Sequence, residues 1–274
     1  LWGTRGTIHY LGFGSYAGDY GGSGRTGKTG YLEGQELVVN DDGTFEVILA
    51  TERPEHAQNW LPMERDTTQL IVRQMFLDRS TETIADLQLE CLDGPAVPAP
   101  LTPQLVDRGL SQASRFVVGA ASMFANWAEG WAETPNTLPK FDPAESLAAH
   151  GDPNIVYFHG YFQLAPDEAL VIDATPPECD YWNFQLDNHW MESLDYQYFP
   201  ITVNQHEAIY RDDGRVRVVV SHERPADLDP TVNWLSTAGH DRGVMSWRWV
   251  RAAENPQPQC RVVKVAALAE LADA

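Results

Sequence analysis

The chain has few lysines, few cysteines and no long apolar segment. Its 274 residues include three lysines and three cysteines, and 39 acidic residues outweigh 19 basic ones, giving a net charge of −20. Because phosphates and anionic lipids are bound by clustered Lys and Arg, this charge argues against nucleic acid and membrane partners. Cys91, Cys179 and Cys260 lack the spacing of metal ligands, which argues against a disulfide framework and a structural zinc.

The ends and the hydropathy of the chain bear on its location. No apolar run approaches the roughly 18 residues that a membrane span requires, and no signal peptide is visible. The chain begins Leu1-Trp2-Gly3 without Met, so we expect it to lack its native start. We therefore expect a soluble protein whose compartment the sequence does not indicate.

Three regions differ in composition and predict the domain organisation. Residues 1–95 and 155–274 alternate between apolar and polar residues as strands do, whereas residues 96–154 contain the one long helical pattern. We predict a mainly β protein: two antiparallel β-sandwich or jelly-roll-like modules, separated by a helical insertion with its loops. A short helix is expected at the C-terminal end of the second module.

The helical pattern begins at Thr102-Pro103, a favourable N-cap and first helical residue. Its apolar residues then recur every three or four positions, at Val106, Leu110, Ala113, Val117, Ala120, Phe124, Trp127 and Trp131. Such a stripe is typical of a core or a subunit contact. One prediction from this stripe is a homo-oligomer contact through Phe124, Trp127 and Trp131.

The most informative feature is an internal repeat, in which residues 41–76 and 212–251 present the same motifs in the same order. Each copy has a hairpin-turn sequence, a strand, a strand end, an anchoring loop and a last strand with a central arginine. The matched elements are Asp41-Asp42-Gly43 with Asp212-Asp213-Gly214, Glu52-Arg53-Pro54 with Glu223-Arg224-Pro225, Asn59-Trp60-Leu61 with Asn233-Trp234-Leu235, and Arg73 with Arg248.

The repeated charges suggest a cross-strand contact within each copy. We predict that Arg73 pairs with Glu52 and Arg248 with Glu223, as scaffold ion pairs across a sheet.

The segment Asn59-Trp60-Leu61-Pro62, followed by a strand that contains Arg73, resembles the signature of the bacterial domain-of-unknown-function family 1214. The second copy is similar, although Ser236 stands where the family has proline, and the strand at Tyr181-Trp182 is similar to the family's opening strand. The resemblance covers residues 36–80 and about 165–252. It implies β-rich, jelly-roll-like domains, and it implies no biochemical activity.

One segment matches the sequence pattern of a phosphate-binding loop but lacks the flanking strand and helix that such a loop requires. Gly22–Thr29 fits the pattern G-x-x-x-x-G-K-[ST]. The residues before it are not a buried strand and those after it form a poor helix, so we interpret the segment as a flexible glycine-rich loop. The eight histidines show no metal-binding spacing, and we expect neither a metal nor another cofactor.

The stretch from Tyr181 to Tyr198 is the richest in polar and aromatic residues. If it is a strand, Tyr181, Asn183, Gln185 and Asp187 share one face, and Trp182, Phe184 and Leu186 share the other. Aromatic rings and amides suit a hydroxyl-rich or aromatic ligand. The candidate ligand contacts are Tyr181, Asn183, Gln185, Tyr196, Trp60, Trp234, Arg73 and Arg248.

Three functions remain open. The leading hypothesis is a module that binds a small hydroxyl-rich or aromatic organic ligand in an aromatic-lined pocket. The second is a lyase or hydrolase without a covalent intermediate, whose candidate catalytic residues are His189, His240, Asp187 and Glu192. The third is a structural protein that forms oligomers through the aromatic end of the helix.

Overall fold

A computed structural model describes residues 1–20, 25–95 and 97–271, and strands dominate this part of the chain. The chain divides into two compact units. The first unit comprises Leu1–Ala120 with Ser146–Asp152, and the second comprises Ala121–Glu145 with Pro153–Ala274. The prediction of a mainly β protein with duplicated modules and one long helix is confirmed.

The first unit is a sandwich of two sheets. One sheet has the strand order β5-β4-β1-β7 and the other β3-β2-β6. The strands are β1 (Trp2–Thr4), β2 (Tyr10–Ala17), β3 (Gly27–Glu33), β4 (Thr44–Ala50), β5 (Asn59–Pro62), β6 (Thr67–Met75) and β7 (Asp86–Gln88).

The core of the first unit lies between these two sheets. Phe13 of β2 meets Phe45 of β4 edge to face, with 6.1 Å between the ring centroids. Phe45, Val47 and Leu49 all pack into this core, as the alternation of the sequence predicts. Gly27–Thr29, the described end of the phosphate-loop look-alike, belongs to strand β3 and not to a helix; Gly22, Ser23 and Gly24 lie outside the described residues.

Helices connect the two strand-rich regions. α1 (Pro103–Ala132) begins as predicted, and the hydroxyl of Thr102 accepts a hydrogen bond from the amide of Leu105 at 3.2 Å. The first half of its apolar stripe is exposed to solvent, including Leu110 and Val117, so the interpretation of that half as core is wrong. α2 (Pro143–Ala148) follows. No helix among the described residues is both long and apolar enough to span a membrane.

The second unit contains a sandwich of the same design, with sheets of order β13-β12-β9-β15 and β11-β10-β14-β8. A 3-10 helix, Val265–Leu271, follows its last strand. The strands are β8 (Ile155–Gln163), β9 (Glu168–Ala174), β10 (Tyr181–Asp187), β11 (Thr202–Asn204), β12 (Val216–Ser221), β13 (Asn233–Ser236), β14 (Arg242–Val250) and β15 (Gln259–Lys264).

Three tryptophans dominate the core of the second unit. Trp182 of β10 stacks on Trp247 of β14 with 5.1 Å between ring centroids, and Trp249 packs against both. Valines of β12 close the core from the opposite sheet. The face of β10 that carries Trp182, Phe184 and Leu186 is therefore the buried face, in agreement with the alternation of its sequence.

The repeated Asn-Trp-Leu segment has the same structural role in both units. In each it forms a short strand parallel to its neighbour, β5 beside β4 and β13 beside β12. The Asn59 side chain makes three hydrogen bonds to the backbone of Val38 and Glu46, and that of Asn233 makes three to Ile209 and Arg217. Each asparagine thus joins a buried strand to a preceding loop.

The predicted ion pairs between Glu52 and Arg73 and between Glu223 and Arg248 are wrong. Glu52 and Glu223 follow β4 and β12, which lie in one sheet of their unit, whereas the arginines lie on β6 and β14 in the other. Cross-strand pairing requires neighbours in one sheet, so the two charges cannot meet as predicted.

Candidate functional site

The candidate site lies on the sheet β11-β10-β14-β8 of the second unit, on the side opposite the tryptophan core. The strand register places Arg248 between Asn183 and Tyr157, and it places Ser246 between Gln185 and His159. Residues directly opposite in antiparallel strands share a face. We call this surface the polar face; it consists of Tyr157, His159, Asn183, Gln185, Asp187, Ser246 and Arg248.

A buried chain of hydrogen bonds crosses the polar face. The amide of Gln185 donates to Asp187 Oδ1 at 2.6 Å, and the Ser246 hydroxyl lies 3.4 Å from Asp187 Oδ2. The same hydroxyl is 2.9 Å from Nδ1 of His159. Because Ser246 has one proton, a bond donated to Asp187 requires that His159 donate to the serine oxygen.

Burial sets the charge states of this chain. Desolvation raises the pKa of Asp187, against the opposing charge of Arg248, and it lowers the pKa of His159 to about 3. His159 is therefore neutral at pH 7. It acts here as a hydrogen-bonding group of the interior and cannot serve as a cationic acid near neutrality.

Aromatic rings enclose His159. Trp131 of α1 stacks on its ring at 4.9 Å, Tyr157 stacks at 5.4 Å, and Phe141 meets it edge to face at 5.1 Å. Trp127 in turn packs on Phe141. The end of α1 therefore has a use within its own unit, and its predicted role in an oligomer stays a prediction.

The guanidinium of Arg248 makes few strong contacts with the rest of the polar face. Its guanidinium is half-buried, 5.9 Å from the centroid of Tyr157 and 3.5 Å from Oδ1 of Asn183, which is too long for a strong hydrogen bond. Within the described residues, no carboxylate lies within ion-pair distance of Arg248. By contrast Arg217, also in the second unit, donates to Asp173 at 2.6 Å.

The predicted catalytic histidines do not meet the carboxylates proposed for them. His189 is half-buried and its Nδ1 lies 3.1 Å from the hydroxyl of Tyr161, while Glu192 accepts a hydrogen bond from Asn188. His240 is exposed in the loop before β14. Among the described residues, neither histidine forms an ion pair with Asp187 or Glu192.

The remaining candidates fall into two groups. Tyr181, Asn183 and Gln185 lie on the polar side of β10 as predicted, but Tyr196 is 62% exposed in a loop. Trp60 and Trp234 belong to the loop anchors, since their indole nitrogens donate to Ala50 O at 3.0 Å and to Ser221 Oγ at 2.8 Å. The roles of these residues in ligand binding stay predictions.

Sequence reasoning missed His159 and Ser246. The alternation Tyr157-His159-Tyr161 and the pair Ser246-Arg248 carry the needed signal, because each places polar groups on the outer side of a strand. Neither stretch has the letters of a catalytic motif, and β8 meets β14 only through a pairing of residues about 90 positions apart.

Arg73 occupies the equivalent position in the first unit, opposite Gly12 of β2. It donates to the hydroxyl of Tyr16 at 2.9 Å, and its Nε lies 3.9 Å from Oδ2 of Asp152. That carboxylate oxygen also accepts hydrogen bonds from Tyr10 and Tyr31, each at 2.9 Å. This arginine has its charge balanced within its own unit.

Glycine makes room for this arrangement. A Cβ at Gly12 would lie 2.3 Å from the Tyr31 hydroxyl, and one at Gly14 would collide with the ring of Tyr16. The tyrosines therefore fill the face of β2 that amide side chains occupy on β10.

No cluster of three or more metal-ligating side chains of the His, Cys, Asp and Glu types occurs in residues 1–20, 25–95 and 97–271.

Two β-sandwiches, each with an Asn-Trp-Leu strand held by its asparagine, define the chain as a duplicated β protein. The chain belongs to the family described as protein of unknown function (DUF1214), whose model matches residues 23–75 and 166–254. The suspected family is thereby confirmed, on both copies of the repeat.

Two solved structures share the fold. An uncharacterized protein from Burkholderia cenocepacia is 47% identical, with a TM-score of 0.91 over 97% of this chain and 73% of its own. A protein from Vibrio parahaemolyticus is 12% identical, with a TM-score of 0.51 over 96% of this chain and 85% of its own. The second likeness concerns the fold alone. No functionally curated protein matches the chain.

Proposed function

We propose that the second unit binds a small hydroxyl-rich or aromatic organic ligand at the polar face, with Arg248 as its anchor. The observation that carries the proposal is the half-buried guanidinium of Arg248, which has no carboxylate within ion-pair distance among the described residues. Partial removal of a cation from water is unfavourable without a partner. A ligand oxygen at this point would supply that partner.

The neighbours of Arg248 match the chemistry of such a ligand. The amide of Asn183 offers a donor and an acceptor to hydroxyl groups. The ring of Tyr157, which stacks on His159 and lies beside the guanidinium, gives the site an aromatic border. The buried chain of Gln185, Asp187 and Ser246 holds the floor of the site in one arrangement. Specificity then comes from a few fixed polar groups, as is usual for small-molecule sites.

The acid–base enzyme has less support. A general acid or base must lie within hydrogen-bonding reach of a substrate proton and hold a suitable pKa. Within the described residues His189 has no carboxylate partner, His240 is exposed, and the buried His159 is neutral and enclosed by rings. The binding function does not require any of these groups to titrate.

Saturation-transfer NMR with a panel of sugars, polyols, phenols and small aromatic acids tests the proposal. We expect at least one class to bind the wild type, and we expect Arg248→Met to weaken that binding at least tenfold. Arg242→Met is the matched control, because it removes the same charge from an exposed position on the same strand β14. The proposal fails if no member binds, or if binders are unaffected by Arg248→Met.

A further inference from the structure

The first unit shows what the arginine of this fold takes as a partner. Arg73 and Arg248 are equivalent by register, because β6 pairs with β2 in the first unit as β14 pairs with β10 in the second. Arg73 lies opposite Gly12, and Arg248 lies opposite Asn183. Beside Arg73 lies the carboxylate of Asp152, which is 2% exposed and receives hydrogen bonds from two tyrosine hydroxyls. A carboxylate thus supplies the negative charge in the closed version of this site.

In the described part of the second unit, no such carboxylate lies at the corresponding place. Asp187 is aligned by register with Tyr16, not with Asp152, and its two oxygens face Gln185 and Ser246. Its burial favours the neutral acid. Asp187 is therefore poorly suited to balance the charge of Arg248, and no carboxylate of the described residues lies within ion-pair distance of that guanidinium.

We infer that the ligand of the polar face carries a carboxylate group, which binds Arg248 in the role that Asp152 has beside Arg73. This inference rests on the proposed binding function and adds the chemical class of the ligand. A planar carboxylate matches the guanidinium fork in two parallel hydrogen bonds. The amide of Asn183, whose Oδ1 lies 3.5 Å from the guanidinium, is the polar side chain adjacent to this charge.

Charge and shape restrict the class further. One guanidinium balances one negative charge, and a chain with a net charge of −20 repels multiply charged anions. The ring of Tyr157 and the amide of Asn183 border the arginine, and this mixed aromatic and polar border suits a flat or hydroxylated body next to the acid group. The geometry therefore points to small monocarboxylic acids in preference to phosphate esters.

Matched probe pairs separate this inference from the proposed function. Titration calorimetry and saturation-transfer NMR would compare benzoate with benzamide and gluconate with sorbitol, with phenyl phosphate as the competing anion. The proteins are the wild type, Arg248→Met, Arg248→Lys and Arg242→Met, and circular dichroism checks that each variant is folded.

We expect the acid of at least one pair to bind at least ten times more tightly than its neutral counterpart. We expect that preference to vanish in Arg248→Met, to return in part in Arg248→Lys and to persist in Arg242→Met. If acid and neutral probe bind equally while Arg248→Met still weakens both, the carboxylate inference fails and the proposed function stands. Tighter binding of phenyl phosphate than of benzoate also overturns the inference that the ligand carries a carboxylate. If no probe binds, both are overturned.

Discussion

Two arginines at the same register position have opposite surroundings in the two units. Arg73 lies among Tyr16, Asp152 and the two tyrosines that hold Asp152, beside strand β2, whose glycines leave space for phenol rings. Arg248 lies among a ring and an amide, without an acid in contact among the described residues. In the first unit a carboxylate of the chain thus pairs with the arginine, whereas in the second unit the arginine has no such partner among the described residues. Duplication allows this difference because other residues stabilise the scaffold.

The largest expected effect concerns the two buried aspartates. Asp152→Asn removes the charge that faces Arg73 and weakens the oxygen that accepts from Tyr10 and Tyr31, so we expect a loss of about 3 kcal/mol or more in the free energy of unfolding. Asp187→Asn replaces an acid whose raised pKa already favours the neutral form, and it should cost less than about 1 kcal/mol. Urea unfolding monitored by circular dichroism measures both. Equal losses would contradict the distinction between a closed and an open unit.

The next effect is a dependence on pH that arises in the second unit. His159 has a pKa lowered by burial to about 3, so its neutral form is favoured in the folded state. Its contribution to stability is complete above the unfolded pKa near 6.5. That contribution is lost as the pH falls from 6.5 toward the folded pKa of about 3. Wild type should lose about 1.4 kcal/mol per pH unit relative to His159→Gln below pH 6.5. Asp187, whose pKa is raised, changes stability in the opposite direction, and it is present in both proteins of this comparison.

His150 is the comparison for this pH effect in the first unit. Burial also lowers its pKa, with a further lowering from Arg73. His150→Gln should therefore flatten the pH dependence in the same direction as His159→Gln but by less. A larger effect of His150→Gln would place the main acid-sensitive group in the first unit and contradict this ranking.

The two anchoring asparagines, unlike the two arginines, should contribute equally to the free energy of unfolding. Asn59→Ala and Asn233→Ala each remove three hydrogen bonds to backbone groups, and each should cost about 2 kcal/mol through unsatisfied partners. The two costs should agree within about 0.5 kcal/mol in urea unfolding, since both side chains make the same pattern of bonds. A strong inequality would show that the two copies of the anchor are not equivalent.

The smallest effect concerns the tryptophans of the same anchors. Trp60→Phe and Trp234→Phe each lose one indole hydrogen bond, to Ala50 O or to Ser221 Oγ, and each should cost about 1 kcal/mol. Neither change should alter ligand binding if these residues are scaffold. A tenfold loss of affinity in Trp234→Phe would return Trp234 to the binding site.

Local signals explain why much of the fold could be predicted. Asp-Asp-Gly, Glu-Arg-Pro and Asn-Trp-Leu each act within a few residues, so their repetition predicted the duplicated sandwiches, and the alternation of β10 predicted which side faces the core. The pairing of Arg73 with Glu52 failed because sheet membership depends on the whole topology. His159 and Ser246 escaped notice for the same reason, since they meet only when β8 aligns beside β14.

The pairing of β15 with β9 has a consequence for synthesis of the protein. Arg261 of β15 meets Asp173 of β9 across 88 positions of the chain. At roughly 5–20 residues per second, the ribosome needs roughly 5–20 s between these two points. For that period the edge of β9 has no partner strand on that side, and an unpaired edge is a template for association with other chains. The last strand of the second unit therefore sets the interval in which a newly made chain needs protection.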